Sequence, residues 1–443
     1  MSASATISRR FSLAEVACSA AAALVRSVHA LITAPSLLFL ATLTVMLFRP
    51  PDLQFYSLDR FAFLLLIFVV MLGVFLQRRS LRLTSRLTWP MLALLTLALS
   101  GALTQPFDPQ TWSLLAAKFV VPYTLFHLSV FVFDTPESLR RFETFSLLVL
   151  AYLSFTAIAF LIGATGLIFP RYILDESLGI HIDRARGPFL QAVANGVTLN
   201  ILGLIALDAF RRGRLRGVWA IVLLASLPVA ILATMTRTVW VSFAGSAVVL
   251  GLRTSNRSVR RACLCLVVVG VIGTMGALLS AEMRTSLRDR AEERGPIEIR
   301  MAVYKAGWLM FLERPISGWG INQMPPELAK RMSDYHLQTF WVHNTYLEVL
   351  VEHGIFGFAI YLSIIVGLFR LGRKPSLSYS AAGNFLDKEF RAMWPLILAV
   401  YLVNATFVVM NYQFVNGLLF TMAGMLSAQN RRESDTQADV LAS

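Results

Sequence analysis

Phe61-Ala-Phe-Leu-Leu-Leu-Ile-Phe-Val-Val-Met-Leu-Gly-Val-Phe-Leu76 runs straight into Gln77-Arg78-Arg79, with Arg82 and Arg86 close behind. With Leu58-Asp-Arg in front, the stretch approaches the roughly 20 mostly apolar residues that a helix needs to cross hydrocarbon. An isolated helix can do so because it satisfies its own backbone groups. The arginines that follow stop the span and orient it, since short cytoplasmic connections collect Lys and Arg. Composition generalises the reading. The chain has 443 residues, 56% hydrophobic and only 15% charged, whereas soluble domains carry about 25% charged residues. Such hydrophobicity excludes a disordered chain, and three cysteines exclude a disulfide-stapled one. The formal charge of +14 then reflects either an anion-binding surface or charge sorting across a bilayer.

Apolar segments recur near 31–48, 58–76, 87–104, 112–132, 144–168 and 188–210, then near 217–235, 238–252, 262–280, 344–369, 392–410 and 412–428. This predicts an all-α, polytopic membrane protein with about twelve transmembrane helices. The pairs meeting at Thr236-Arg237 and at Asn411-Tyr412-Gln413 are each read as a tight hairpin or one broken helix. Basic clusters alternate with the spans. They fall at Arg9, Arg10 and Arg26, at Arg78 to Arg86, at Arg211 to Arg216, at Arg253 to Arg261, at Arg370 to Arg391, and at Arg431 and Arg432. All share one side of a twelve-span model, which predicts cytoplasmic termini and a positive charge that mostly orients the chain. The first apolar run has spanning length, so no cleavable signal is expected. The layout is a tail over 1–30, spans one to nine over 31–280, an extracytoplasmic loop over 281–343, spans ten to twelve over 344–428, and a loose polar tail over 429–443. Cys18, Cys263 and Cys265 fall on the reducing side, so no disulfide is expected, and close packing is the reading for the Cys263–Cys265 pair.

Two outward connections are long, about 169–187 and about 281–342, and long loops in compact domains carry function. In the second, Ile297, Met301, Tyr304, Trp308 and Phe311 share one helical face, Pro315 ends the helix, and Gly318-Trp319-Gly320 turns beyond it. The helix either lies on the membrane surface or forms a lid over an outward cavity, with the lid preferred.

Arginines on the outward edge break the rule that orients the others. Arg186 precedes the sixth span, which holds Gln191, Asn195 and Asn200, and Arg237 sits in the hairpin after the seventh. A guanidinium presents a rigid fork of donors that matches phosphate, although a lone edge arginine more often snorkels to lipid. His343-Asn344 opens the tenth span, followed by Glu348, Glu352 and His353. A single histidine is more often structural than catalytic. Lys118 is the deepest charge, a functional candidate or half of an ion pair. The sequence contains no metal-ligand spacing, no Gly-rich phosphate loop and no Gly-x-Ser-x-Gly nucleophile. Nucleic acid is excluded as a partner, since the basic residues do not gather on one face.

Three pieces then occur in order: Arg186-Gly187-Pro188-Phe189 with Asn195; Thr236-Arg237; and Arg300…Trp308…Arg314-Pro315-Ile-Ser-Gly318-Trp-Gly320 followed by His343-Asn344-Thr-Tyr346-Leu347…Glu352-His-Gly354. Over about 185–357 the chain resembles the O-antigen ligase and polysaccharide polymerase superfamily, glycosyltransferases of the bacterial inner membrane. It departs in having Thr236 where many members have Ser and Ala194 where many have Pro. The resemblance implies a donor glycan on undecaprenyl diphosphate, transferred to an acceptor hydroxyl with inversion and without metal, cofactor or nucleotide sugar. It implies catalytic roles for His343, Arg237 and Arg186, and substrate contacts for Arg300, Asn344, Glu352 and Asn195.

Such chemistry suits the residues: arginines can stabilise a diphosphate leaving group, and a positioned base can take the acceptor proton. Expected partners are the lipid-linked oligosaccharide, a glycan or lipid A-core acceptor, membrane lipids and other polysaccharide-assembly proteins. Polymerisation of O-antigen or exopolysaccharide is favoured over ligation to lipid A-core. A lipid-linked glycan flippase or transporter remains the alternative from another class, with a non-catalytic scaffold behind it. Such carriers tend to show paired repeats and charges at the bilayer midplane.

Overall fold

The computed structural model describes residues 34–49, 57–77, 85–179, 182–279, 295–332, 341–373 and 385–442. The 1–30 tail, the Arg78, Arg79 and Arg82 cluster and the 281–294 part of the long loop lie outside them. All regular structure among the described residues is helical. The first seven helices are Pro35–Leu47 (α1), Leu58–Leu76 (α2), Thr88–Leu103 (α3), Pro109–Val132 (α4), Pro136–Leu161 (α5), Ala192–Arg211 (α6) and Gly217–Ala233 (α7). Then come Arg237–Arg253 (α8), Arg257–Leu279 (α9), Gly295–Glu313 (α10), Met324–Arg331 (α11), Thr345–Leu371 (α12), Lys388–Ala405 (α13) and Gln413–Ala442 (α14).

A helix lies at each predicted apolar segment. Five of them (α2, α4, α5, α6 and α12) are long and apolar enough to cross a membrane by length and composition. Both doubtful hairpins are pairs of separate helices, α7 with α8 and α13 with α14. The fifth segment begins eight residues before the expected 144. Thr135 and Ser138 form a reciprocal capping box and Pro136 occupies the first turn, so the helix starts through the polar Glu137, Arg140 and Arg141 that hydropathy discounts. The expected loose tail is also helical, since α14 continues to Ala442 with no Gly or Pro after Gly424 to stop it.

Helix α6 is the hub. It is buried almost all round and packs against α5, α7 and α13. At its C-terminal end Arg212 donates to Asp208 (2.8 Å) and to Glu143, while Arg211 bridges Asp208 (2.7 Å) and Asp387 (2.6 Å). The sequence assigned these arginines an orienting role only. In the fold they also neutralise buried carboxylates, whose isolated burial would be costly. Cys263 packs against Gly251, as the close-packing expectation has it, while Cys265 is exposed.

Candidate functional site

At the other end of the bundle lies a cavity of about 390 Å³. Its wall is assembled from five separate segments: the end of α1, the first turns of α4, the approach to α6, residues just before α12, and the α13–α14 connection. Amides come from Gln110, Gln191, Asn411 and Gln413, a hydroxyl from Ser113, and aromatic rings from Phe189, Trp341, Tyr412 and Phe414. Among the described lining residues, Arg49 is the sole guanidinium, His343 the sole imidazole, and no carboxylate is present.

His343 sits in a left-handed backbone conformation (φ 46°) immediately before α12, an uncommon state for a residue with a Cβ. Two neighbours hold it there. Asn344 caps α12, its Oδ1 accepting from the amides of Tyr346 (3.0 Å) and Leu347 (3.1 Å). Thr345 Oγ1 donates to the Val408 carbonyl (2.8 Å) and accepts from the Met410 amide (3.0 Å). That pair pins the start of α12, directly after His343, to the α13–α14 connection that also lines the cavity.

Arg49 is the site residue that sequence reasoning missed. Its Nη1 donates to Gln413 Oε1 (2.7 Å) and its Nη2 to Ser113 Oγ (3.1 Å). The same Nη1 lies 2.9 Å from Asp59 Oδ2, a fully buried carboxylate on α2. A guanidinium gripped at three points is preorganised, with little side-chain freedom left to lose when an anion binds. The available signal was its place as a lone arginine in a short outward connection.

The expected site residues separate into groups. Arg186 is buried, and its guanidinium donates to the carbonyls of Ile173 (3.0 Å), Leu178 and Asp175. Burial pulls its pKa below the ordinary arginine value, against the opposing charges of Asp175 and Glu176. Asn195 belongs to the same clamp, its Nδ2 donating to the Ala185 carbonyl (2.8 Å). Gly187 (φ 55°) leaves no room for a Cβ beside Asn195, which joins Arg186-Gly187-Pro188-Phe189 and Asn195 in one folded unit. Arg237 opens α8 and Arg300 lies on α10, both exposed and outside the cavity lining.

Glu352 is engaged elsewhere. Its carboxylate meets Lys118 Nζ (3.1 Å) and accepts the Asn322 amide (2.9 Å), and Lys118 also pairs with Glu348 (2.8 Å). Lys118 sits in a widened π turn at Ala116–Val120, next to the cavity-lining Ala117. Helix α12 breaks at Gly354 (φ 64°), and the Pro315–Gly320 turn fills the break. Ile355 N–H donates to the Pro315 carbonyl (2.8 Å), Trp319 N–H to Val351 (2.9 Å) and Gly320 N–H to Glu352 (2.9 Å). A Cβ at Gly318 would fall 2.4 Å from the Glu352 carbonyl, and one at Gly354 would fall 2.2 Å from that of Ile316. The two halves of the signature block are therefore one folded unit, which fixes α12 behind His343.

The long-loop helix, α10, divides the expected face, since Tyr304 and Phe311 pack onto the protein and Met301 and Trp308 do not. Val303, Ala306 and Met310 are its buried contacts, packed with Met324, Leu328 and Val351, while Met301 and Trp308 point outward. A helical wheel with apolar residues on two sides does not reveal which side meets protein.

Comparison with known proteins agrees with the motifs. No curated protein matches the chain. Residues 219–362 match the family model described as O-antigen ligase, a stretch running from α7 to α12 through Arg237, Arg300, the Pro315–Gly320 turn, His343 and Glu352. Over those residues, about a third of the chain, the protein is similar to the O-antigen ligase family, in agreement with the order of the motifs.

Proposed function

We propose that the protein transfers a glycan from undecaprenyl diphosphate to an acceptor hydroxyl in this cavity, at the outer side of a bacterial inner membrane. The carrying observation is that His343 and the preorganised Arg49 line the same cavity, together with aromatic and amide side chains, a lining suited to sugars. His343 takes the acceptor proton. The acceptor oxygen bonds to the anomeric carbon as the bond from that carbon to the diphosphate oxygen breaks. The leaving diphosphate keeps the electron pair, and Arg49 stabilises its charge. Displacement from the opposite face inverts the anomeric carbon, with no metal or cofactor in the scheme. Arg237 and Arg300, both exposed, guide the anionic donor toward the cavity, while Arg186 and Asn195 hold the 173–187 loop. Asn344 and Glu352 position the start of α12 rather than touching substrate.

The topology in this reading has twelve spans and cytoplasmic termini. Support comes from the cavity itself, since every lining segment belongs to a connection, or adjoins one, on the side that lacks the dense arginine clusters. Polymerisation of O-antigen or exopolysaccharide is favoured over ligation to lipid A-core. Proteoliposomes given lipid-linked donor only on the outside test the reading. Glycan transfer without translocation is expected, whereas donor crossing the bilayer without transfer would indicate a flippase.

A further inference from the structure

Helix α10 uses one face on protein and leaves another bare. Val303, Ala306 and Met310 face α11 and α12. On the far side Met301 (64% exposed), Trp308 (50%), Leu309 (43%) and Leu312 (57%) share an arc with Lys305. Four apolar residues around one lysine make a poor water-facing surface, and a soluble protein rarely leaves such a stripe open.

The stripe has a definite continuation. Just past the end of α10, Ile316 is 65% exposed. The Pro315 carbonyl beside it accepts the amide of Ile355 (2.8 Å). Ile355 and Phe356 are the exposed apolar residues that follow the Gly354 break in α12, a helix long and apolar enough to span. The bare face of α10 thus runs into the outward-facing apolar surface of a spanning helix. Trp and Lys on an apolar arc are the residues that settle at headgroup depth, the ring in the interface and the ammonium reaching phosphate.

We infer that α10 is seated in the outer leaflet through Met301, Trp308, Leu309 and Leu312, with Lys305 at the lipid phosphates. This fixes the catalytic loop at the depth where a lipid-linked diphosphate lies. Helix α10 then acts as a floor beside the site, not as a lid that lifts into water. The inference rests on α12 spanning the membrane, as in the proposed function.

Spin labels on the full-length protein test it. Cys18, Cys263 and Cys265 are replaced by Ala, and single labels are placed through Leu312→Cys, Glu313→Cys and Phe356→Cys in phosphatidylethanolamine/phosphatidylglycerol nanodiscs. At 312 and 356 the label is expected to meet oxygen more often than a water-soluble nickel chelate and to broaden with lipid labelled near the headgroup. At 313 it is expected to favour nickel. A nickel-accessible label at 312 with a lipid-exposed one at 356 overturns the inference and leaves the span intact. Water access at both positions overturns the span as well. Protection from both reagents at 312 indicates a protein partner, a second copy included, and also overturns it.

Discussion

Arg49 Nη1 stands 2.9 Å from Asp59 Oδ2 across the gap between α1 and α2. The carboxylate is wholly buried, whereas the guanidinium is 18% exposed and reaches the cavity wall. The pair thus has two roles: Asp59 anchors, and Arg49 presents its remaining donors to whatever anion enters.

Removing Arg49 alone strands a buried carboxylate, so Arg49→Ala confounds folding with chemistry. The variant to make is Arg49→Gln combined with Asp59→Asn, a neutral pair of similar shape. It is expected to keep its thermal midpoint in detergent within a few degrees and to lose about 10²-fold in transfer rate, the scale of one lost electrostatic contact to a transition state. A double variant with wild-type turnover would remove Arg49 from the mechanism.

Lys118 bridges Glu348 and Glu352 where all three side chains are buried. Lys118→Met leaves two facing carboxylates without a counter-charge, which costs about 3–5 kcal/mol. Adding Glu348→Gln and Glu352→Gln is expected to restore most of that stability, as read by thermal unfolding. A single Lys118→Met as stable as wild type would show that the triad does not hold α12.

The α10–α11 hairpin carries a pH-sensitive clasp. Arg331 donates to Glu313 (2.6 Å) and Glu327 (2.8 Å) and lies over the Trp319 ring, 4.8 Å from its centroid. Those hydrogen bonds hold both carboxyls below their ordinary value of 4.5. A depressed folded value stabilises above the unfolded one, so the contribution is full at neutral pH and fades as pH falls below about 4.5 through the lower folded values. Both pairs are solvent-screened, so the expected effect is local loosening. Hydrogen exchange over 313–331, corrected for its intrinsic pH dependence, should rise in acid for wild type. It should already be raised at neutral pH in Glu313→Gln/Glu327→Gln. A pH-independent wild type would contradict the clasp.

How far the sequence could be read depended on the kind of information involved. Leu58–Leu76 matches its expected bounds because an unbroken apolar run from Phe61 to Leu76, closed by arginines, admits one reading. Helix α5 was displaced because a capping box outweighed hydropathy at its start. The motif residues were legible as a group but not by role. Arg186 and Arg49 are both arginines in outward connections, and only the fold gives one to backbone carbonyls and the other to the cavity. Lys118 and Glu352 are 234 residues apart, and no local pattern pairs them. The apolar residues of α10 divide between protein contacts and exposed surface, which the sequence does not separate because lipid and protein select the same residue types.

The central claim is that His343 handles the acceptor proton. Asn tolerates the left-handed backbone that His343 adopts, so His343→Asn removes the imidazole while keeping the turn. Single-turnover transfer from pre-bound lipid-linked donor, measured on correctly folded His343→Asn, is predicted to slow by about 10²–10⁴-fold, the usual span for losing a general base. Transfer at the wild-type rate by that variant would contradict the account.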